Sequence, residues 1–330
     1  MKVGYVGTIK QLMGGHIYNN MVQDVLSKHF DVQTVNIKYT RRLFFPYALY
    51  RLCKINGEKD LWVRDFNATI TMPYDKTIGQ NIAIIHHTDS SGYAKHVQII
   101  LSLLEKVFYR NLERVNAIVT VSKYWQEYFL RKGYSNTYVI YNAFNVTRFN
   151  FSQKEISGFV DRFNLKGKPI IYIGNCQKAK GVVEAYEALK GLDAYIVTSG
   201  PEEVKIPAIN LNLGYRDYLR LLKASSVVVA MSKFKEGWCR TAHEAMLCKI
   251  PVVGSGLGGM KELLEDGKQA VCSDFDELRQ RVEYLMEHPE IGERGYEFAA
   301  KFTVKRFERE WVALANKVAQ QVKRQARYRS

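Results

Sequence analysis

Short apolar runs alternate along this chain with longer stretches in which apolar residues return every three or four positions. The first kind fits a buried strand and the second an amphipathic helix. In the first half, Val3–Gly7, Val32–Ile37, Ile82–Ile85, Ala117–Val121 and Tyr138–Ile140 read as strands. Ile17–His29, Ala94–Val115 and Lys123–Lys132 read as helices. The pattern then restarts. Strands are predicted at Ile170–Ile173, Ala194–Val197, Val227–Ala230 and Val252–Val253, and helices at Val182–Leu189, Arg216–Lys223, Thr241–Leu247 and Asp276–Met286. Such alternation is the sign of parallel sheets covered by helices. It predicts two doubly wound α/β domains, residues 1–150 and 151–330, with the boundary inside 145–168. A last helix, Val304–Val322, is long enough to cross back over the first domain.

The 330 residues, 47% hydrophobic and 25% charged, supply ordinary globular cores and exclude disordered, collagen-like and disulfide-scaffold classes. No apolar stretch approaches the roughly 20 residues of a membrane span. The opening Met1–Gly7 is too short for the apolar core of a signal peptide and reads as a first strand. Cys53, Cys176, Cys239, Cys248 and Cys272 form no CxxC pair. That points to reduced thiols in a cytosol-like compartment and away from a zinc site. The net charge of +15 changes the picture more. Residues 1–150 carry 19 Lys+Arg against 10 Asp+Glu, and residues 316–330 carry five basic and no acidic residues. The remainder is nearly balanced, so an anionic partner is expected for the N-terminal half and the tail.

Four constellations carry candidate chemistry. Gly14-Gly15 lies between the first strand and the first helix, where glycine lets backbone approach a phosphate; two glycines there also make a plain turn. His86-His87-Thr88-Asp89 follows a strand end, where open α/β sheets bind ligands, and at most one of two adjacent histidines faces the site. Gly174–Gly181 is a loop between strand and helix whose Lys178 and Lys180 could neutralise a diphosphate beside a helix N-terminus; it lacks the GxxxxGK[ST] spacing of a P-loop. The fourth, Ser232–Met246, is the most specific. Glu236 stands in a turn and Glu244 about one helical turn inside the next helix, so both carboxylates can face one ligand beside the orphan amides of the helix start. Ile250–Gly254 and the glycine-rich Gly256–Met260 follow.

Glu236, then Glu244-Ala245-Met246, Pro251-Val252-Val253 and Gly258-Gly259 together resemble the retaining GT-B glycosyltransferases of family GT4. Gly14-Gly15, His87-Thr88, Ile118–Lys123, Tyr141–Phe149 and Ile171–Val182 match in the same order through nearly the whole chain. The resemblance implies two Rossmann-like domains facing each other across a deep cleft, the acceptor on the first and a UDP- or GDP-linked sugar on the second. By the same resemblance, Glu244 holds the ribose hydroxyls, and Glu236 the donor sugar with the amides of Gly237, Trp238 and Cys239. Arg240, Thr241, Lys180 and Gly15 surround the diphosphate, and His87 lies near the reacting sugar. Gly214, Tyr215 and Arg216 fall in the region of the base. The implied reaction retains the anomeric configuration and needs no metal or other cofactor. An epimerase or phosphorylase on the same scaffold, or a degenerate binding protein, is the alternative.

This sequence departs from the family pattern at Asn175, where an arginine is usual; Lys178 is the candidate replacement, as a point charge rather than a fork. Lys249 stands where glycine is common, and Cys239 replaces a small residue. Asp274-Phe275-Asp276 has the DxD form of a metal motif, but its place before a helix reads as an acidic cap. The positive charge also has a pattern. Residues 38–54, with Arg41, Arg42, Phe44 and Phe45, mix basic and aromatic side chains without an acidic one. On the helix at 94–115, Val97, Ile100, Leu101, Leu104 and Phe108 form the predicted buried face, and Ile99, Leu103, Lys106, Arg110 and Arg114 a second, apolar-basic face. Both suit an anionic membrane surface and a lipid-linked or membrane-borne glycan acceptor, hence a cytoplasmic enzyme peripheral to the membrane; a solvated basic surface is the plainer reading. No nucleic-acid-binding module is recognisable.

Overall fold

The computed structural model describes residues 1–9, 14–38, 45–92 and 95–327. The chain divides into two compact units. The first contains β1 (Lys2–Ile9), α1 (Gly14–His29), β2 (Asp31–Lys38), α2 (Phe45–Leu52), β3 (Asn56–Arg64), α3 (Phe66–Thr71), β4 (Lys76–Ile84), α4 (Lys95–Leu112), β5 (Ala117–Thr120), α5 (Lys123–Arg131) and β6 (Thr137–Val139). Its six strands pair in parallel in the order β2-β1-β3-β4-β5-β6. β3 escapes the sequence pattern because its first half is polar and only Leu61–Arg64 is fully buried. A register shift between Glu58 and Leu61 interrupts the strand further. Arg64 is buried with its charge; it pairs with Asp75 at 2.6 Å and donates to the Asn81 side chain at 2.6 Å. Burial lowers the pKa of this guanidinium, and the carboxylate beside it opposes that effect. The next residue, Asp65, caps α3 by accepting from Ala68 N–H, and its other oxygen accepts from Thr8 N–H at 2.6 Å.

The second unit contains α6 (Gln153–Arg162), β7 (Ile170–Asn175), α7 (Val182–Leu189), β8 (Tyr195–Ser199), β9 (Ile209–Leu211), α8 (Tyr215–Ala224), β10 (Val227–Ala230), α9 (Arg240–Leu247), β11 (Val252–Gly254), α10 (Gly259–Asp266), β12 (Ala270–Val271), α11 (Leu278–Glu287) and α12 (Ile291–Ala299). Its parallel sheet runs β12-β11-β10-β7-β8-β9. Renumbered within the unit, this is the 3-2-1-4-5-6 order of dinucleotide-binding folds. The topological switch point therefore lies between β7 and β10, and a ligand is expected beyond their carboxyl ends. One face of the sheet is covered by α7 and α11 through Ile171, Val182, Leu189, Val227, Val282 and Leu285. Each such side chain contributes about 1.5–3 kcal/mol on burial.

The expected boundary after residue 150 moves to Ala143/Phe144. Phe144 stacks on His243 at 4.1 Å and pairs with Thr303, so the segment from 144 onward is packed into the second unit. α13 (Val304–Arg327) clusters with the first unit: Tyr18 of α1 meets Phe307 and Trp311 edge-on. Both units are doubly wound and Rossmann-like. The acidic-cap reading of Asp274–Asp276 needs correction. Asp274 accepts from Asp276 N–H at 3.0 Å, a local turn, while α11 starts only after Glu277, which makes no side-chain cap. All five cysteines are free thiols.

Candidate functional site

The carboxyl end of β7 leads into a single 3-10 turn at Lys178–Lys180 and then Gly181. Gly181 has φ +70°, and a Cβ there would stand 2.2 Å from the Met231 carbonyl oxygen at the end of β10. This close approach brings Lys180 to the residues that follow β10. Its Nζ lies 2.5 Å from Glu236 Oε1 and 4.9 Å from the Phe234 ring centre. Ser232 Oγ donates to the same carboxylate oxygen at 2.6 Å. Burial works to lower the Lys180 pKa, but the Glu236 carboxylate overcomes it and the net shift is upward. The ammonium is thus held charged in a partly dry place.

Glu236 is 8% exposed and is fixed by backbone as well. Its N–H donates to Leu257 O at 3.2 Å, and Gly259 N–H donates to Glu236 O at 2.9 Å. Gly258 makes this possible: φ is +69°, and a Cβ would lie 2.4 Å from Glu236 O. The glycine-rich loop before α10 is therefore the second rail of the Glu236 turn. One contact has no sequence signal. Asp89, grouped with the second unit, accepts from Lys235 N–H at 2.6 Å.

From Glu236 the chain turns inward. Trp238 and Cys239 are buried, and the Trp238 indole N–H donates to His243 Nδ1 at 3.0 Å. Cys239 is the residue before α9, and burial pushes its thiol up to about 12, so it is no nucleophile. α9 starts at Arg240 with no side-chain cap. Helix geometry leaves its first amides without partners inside the helix.

Glu244, one turn into α9, is 3% exposed. Its Oε1 accepts from Arg240 at 3.0 Å and from Tyr215 OH at 3.2 Å; its Oε2 accepts from Tyr218 OH at 3.2 Å. Burial, then the Glu244 charge, raises both tyrosine pKa values, so the phenols stay protonated donors. Tyr218 OH also lies 3.3 Å from Thr241 Oγ1. Tyr218 was not a sequence candidate; its place three residues after Tyr215 on one helix face was the available signal.

Arg216 donates to Arg148 O at 2.6 Å, pairs with Glu155 at 3.0 Å and lies 4.0 Å over Phe151. It clamps the segment leading into the unit, while Gly214 is the exposed residue before α8. Asn175, at the position of the expected arginine, accepts from Tyr172 OH and Ser199 Oγ, each at 3.1 Å. Lys178 is exposed at the start of its turn.

In the first unit, the two adjacent histidines separate. His86 packs against Gly15, where a Cβ would lie 3.2 Å from its ring, and its Nε2 is 3.1 Å from Asn19 Oδ1. Burial pushes the His86 pKa down to about 3, so it is neutral. His87 lies toward α5, 6.3 Å from the Trp125 ring. Gly14 is the first residue of α1. The sequence singled out His87; the neighbour of the glycine pair is His86. On α4, Ile100 is 56% exposed, against its predicted place on the buried face. α4 is tied down near its C-terminal end, where Asn111 donates to Thr69 O and Ile70 O at 3.0 and 2.8 Å, and Phe108 is the buried anchor. Ile99 and Leu103 are 64% and 65% exposed, with Lys106, Arg110 and Arg114 also exposed. Arg41, Arg42 and Phe44 lie outside the described residues, and Phe45 opens α2. Among the described residues no helix is long and apolar enough to cross a membrane.

The sequence model of the family described as "Glycosyl transferases group 1" matches residues 153–302, nearly all of the second unit. Through these residues, a little under half of the chain, the protein is similar to the glycosyl transferases group 1 family. The matched stretch includes Lys180, Glu236 and Glu244. An uncharacterized glycosyltransferase of Methanocaldococcus jannaschii is 25% identical over 206 residues, 56% of this chain and 55% of that protein. The trehalose synthase of Pyrococcus horikoshii is 33% identical over 90 residues, 27% of this chain and 21% of that protein. The chain therefore spans about half or less of the length of these curated relatives. Anabaena HepE, solved in complex with UDP-glucose, superimposes with a TM-score of 0.75 at 16% identity, covering 96% of this chain and 100% of that one. The whole chain has the GT-B fold.

Proposed function

We propose that this protein is a retaining, GT4-like hexosyltransferase that moves a sugar from a nucleotide-sugar to an acceptor hydroxyl without a metal ion. The observation that carries the reading is the meeting, beyond the switch point of the second sheet, of a charged lysine, a fixed glutamate and a helix start, with a second buried carboxylate one turn further on. Glu244 takes the ribose, Glu236 the sugar hydroxyls, and Lys180 with the first amides of α9 the diphosphate. The bond from the anomeric carbon to the phosphate oxygen breaks as the bond to the acceptor oxygen forms on the same face. The acceptor's proton passes to the departing diphosphate. Charge grows on that diphosphate in the transition state, and preorganised cationic groups stabilise it there. Asn175 already accepts two hydroxyl donors and provides no cation, so Lys180 bears this task with the helix start.

HepE was solved with UDP-glucose, which supports a UDP-sugar as the first donor to try, with GDP-sugars next. On the first unit, Gly14 and Gly15 are proposed to serve the donor diphosphate, and His87 to act beside the reacting sugar. The exposed Ile99 and Leu103 beside Lys106, Arg110 and Arg114 support an acceptor borne on an anionic membrane.

The test is a thermal-shift and donor-hydrolysis screen of UDP-, GDP- and ADP-sugars in EDTA. One donor should stabilise the protein and release its nucleotide slowly, with both effects lost in Glu244→Gln. Stabilisation without any turnover would favour a binding protein, the reading that Asn175 supports. No stabilisation by any donor would overturn the assignment.

A further inference from the structure

The chain passes between its units at Ala143–Phe144 and again at Thr303–Val304, and both passages end on one histidine. His243, within α9, is fully buried. Phe144 stacks on its ring, with centroids 4.1 Å apart and planes at 26°; Phe302 meets it edge-on at 5.1 Å and 83°. The two phenylalanines are themselves joined, since Phe144 N–H donates to Phe302 O at 2.9 Å. Both nitrogens of His243 are in use. The Trp238 indole N–H donates to Nδ1 at 3.0 Å, and Nε2 lies 3.1 Å from Ala299 O, a carbonyl that can only accept. Nε2 therefore carries the proton and the ring is neutral.

We infer that His243 is a positioning residue for the Glu236–Cys239 turn: it holds the turn through the Trp238 indole and ties it to the segments where the chain enters and leaves the unit. The inference rests on the reading that this turn and the start of α9 bind the phosphates of a nucleotide-sugar. A leucine would fill the buried site with better helix propensity. What histidine adds is a donor and an acceptor on opposite edges of one rigid ring. A second link runs in parallel, with the Arg240 guanidinium 4.4 Å over the Phe144 ring while it pairs with Glu244. Phe144 thus supports residues on both sides of the Glu236–Glu244 stretch. Trp238 points inward to His243, so the turn offers its backbone to a ligand; amides that must meet a diphosphate within fractions of an ångström need such support.

The test compares UDP with uridine, and GDP with guanosine, by NMR titration of the whole chain, in wild type, His243→Leu, His243→Gln and Trp238→Phe. Glutamine can accept from Trp238 and donate to Ala299 O; leucine can do neither. His243→Leu should weaken the diphosphate at least 10-fold while changing the nucleoside less than 2-fold, His243→Gln should recover most of the loss, and Trp238→Phe should repeat it. A general loss of stability would weaken both ligands together. Should His243→Leu fail to fold, Trp238→Phe makes the same comparison with the histidine in place. Equal losses on diphosphate and nucleoside, or none on either, overturn the positioning role while leaving the donor site standing. A wild type that binds neither diphosphate overturns the donor reading and this inference with it.

Discussion

Substituting glutamine for Glu244 keeps the shape of the side chain and removes its charge. A carboxylate offers about four acceptor positions, two on each oxygen. Arg240 and Tyr215 occupy Oε1, and Tyr218 occupies one position on Oε2. One position is therefore open to a ribose hydroxyl at once. On the proposed reading, a second hydroxyl would compete for Oε1 with Tyr215, which is 43% exposed. A hydrogen bond to a charged group is worth about 1.5–3 kcal/mol. Glu244→Gln should then weaken the nucleoside diphosphate that wild type binds by roughly 10- to 150-fold. Alanine would be the wrong choice. It would leave the Arg240 guanidinium beside a buried gap, at about 3–5 kcal/mol for a broken buried pair, and mix folding with binding. The assay is isothermal titration calorimetry with the nucleoside diphosphate and its 2′,3′-dideoxy analogue. If Glu244 holds the ribose, the penalties of losing the carboxylate and losing the hydroxyls overlap, and the variant barely distinguishes the two ligands. Tyr215→Phe, with its competing hydroxyl gone, should bind at least as tightly as wild type. A variant that loses as much on the dideoxy analogue as on the parent would refute the assignment.

Two further outcomes are expected. Burial holds His86 and His243 neutral, with pKa values pushed down to about 3 from 6.5, so between these values the unfolded chain binds more protons than the folded one. Stability is thus full above about pH 6.5 and falls as the pH drops toward 3, by up to about 1.4 kcal/mol per pH unit for each histidine. Urea unfolding of His243→Gln at pH 7 and 4.5 should show a shallower loss than wild type; an equal loss would mean that His243 is not held neutral. The exposed α4 face should carry the protein onto vesicles containing phosphatidylglycerol at low salt. Sedimentation should fall in Ile99→Ser/Leu103→Ser and at high salt, and equal recovery with and without anionic lipid would exclude this surface.

Much of this molecule was legible from periodicity. The core strands β1, β5, β7 and β10 and the Ile82–Ile84 end of β4 stand out as short apolar runs, and α1, α5, α8 and α9 repeat every three to four residues. Periodicity failed where chemistry displaced it. β3 is a central strand whose buried end carries Arg64, tolerated only because Asp75 and Asn81 reach it from elsewhere in the chain. Ile100 looked buried because helical spacing gives a direction around the axis, not the length over which a neighbour covers the helix.

The same division runs through the site. Glu236, Glu244 and the lysine turn stand at strand ends and a helix start, positions that local sequence determines through alternation, glycine and helix onset. Their partners were decided by the tertiary structure alone. That Lys180 meets Glu236, that Tyr218 joins Glu244, that Arg216 turns to the Arg148 carbonyl and that His243 binds Trp238 depend on which side chains the folded second unit brings within 3 Å or so of one another. Hydrogen bonds and ion pairs form only at such short range. The sequence supplies the groups and the order of the strands; sheet order across the β7–β10 switch point sets which of those groups meet.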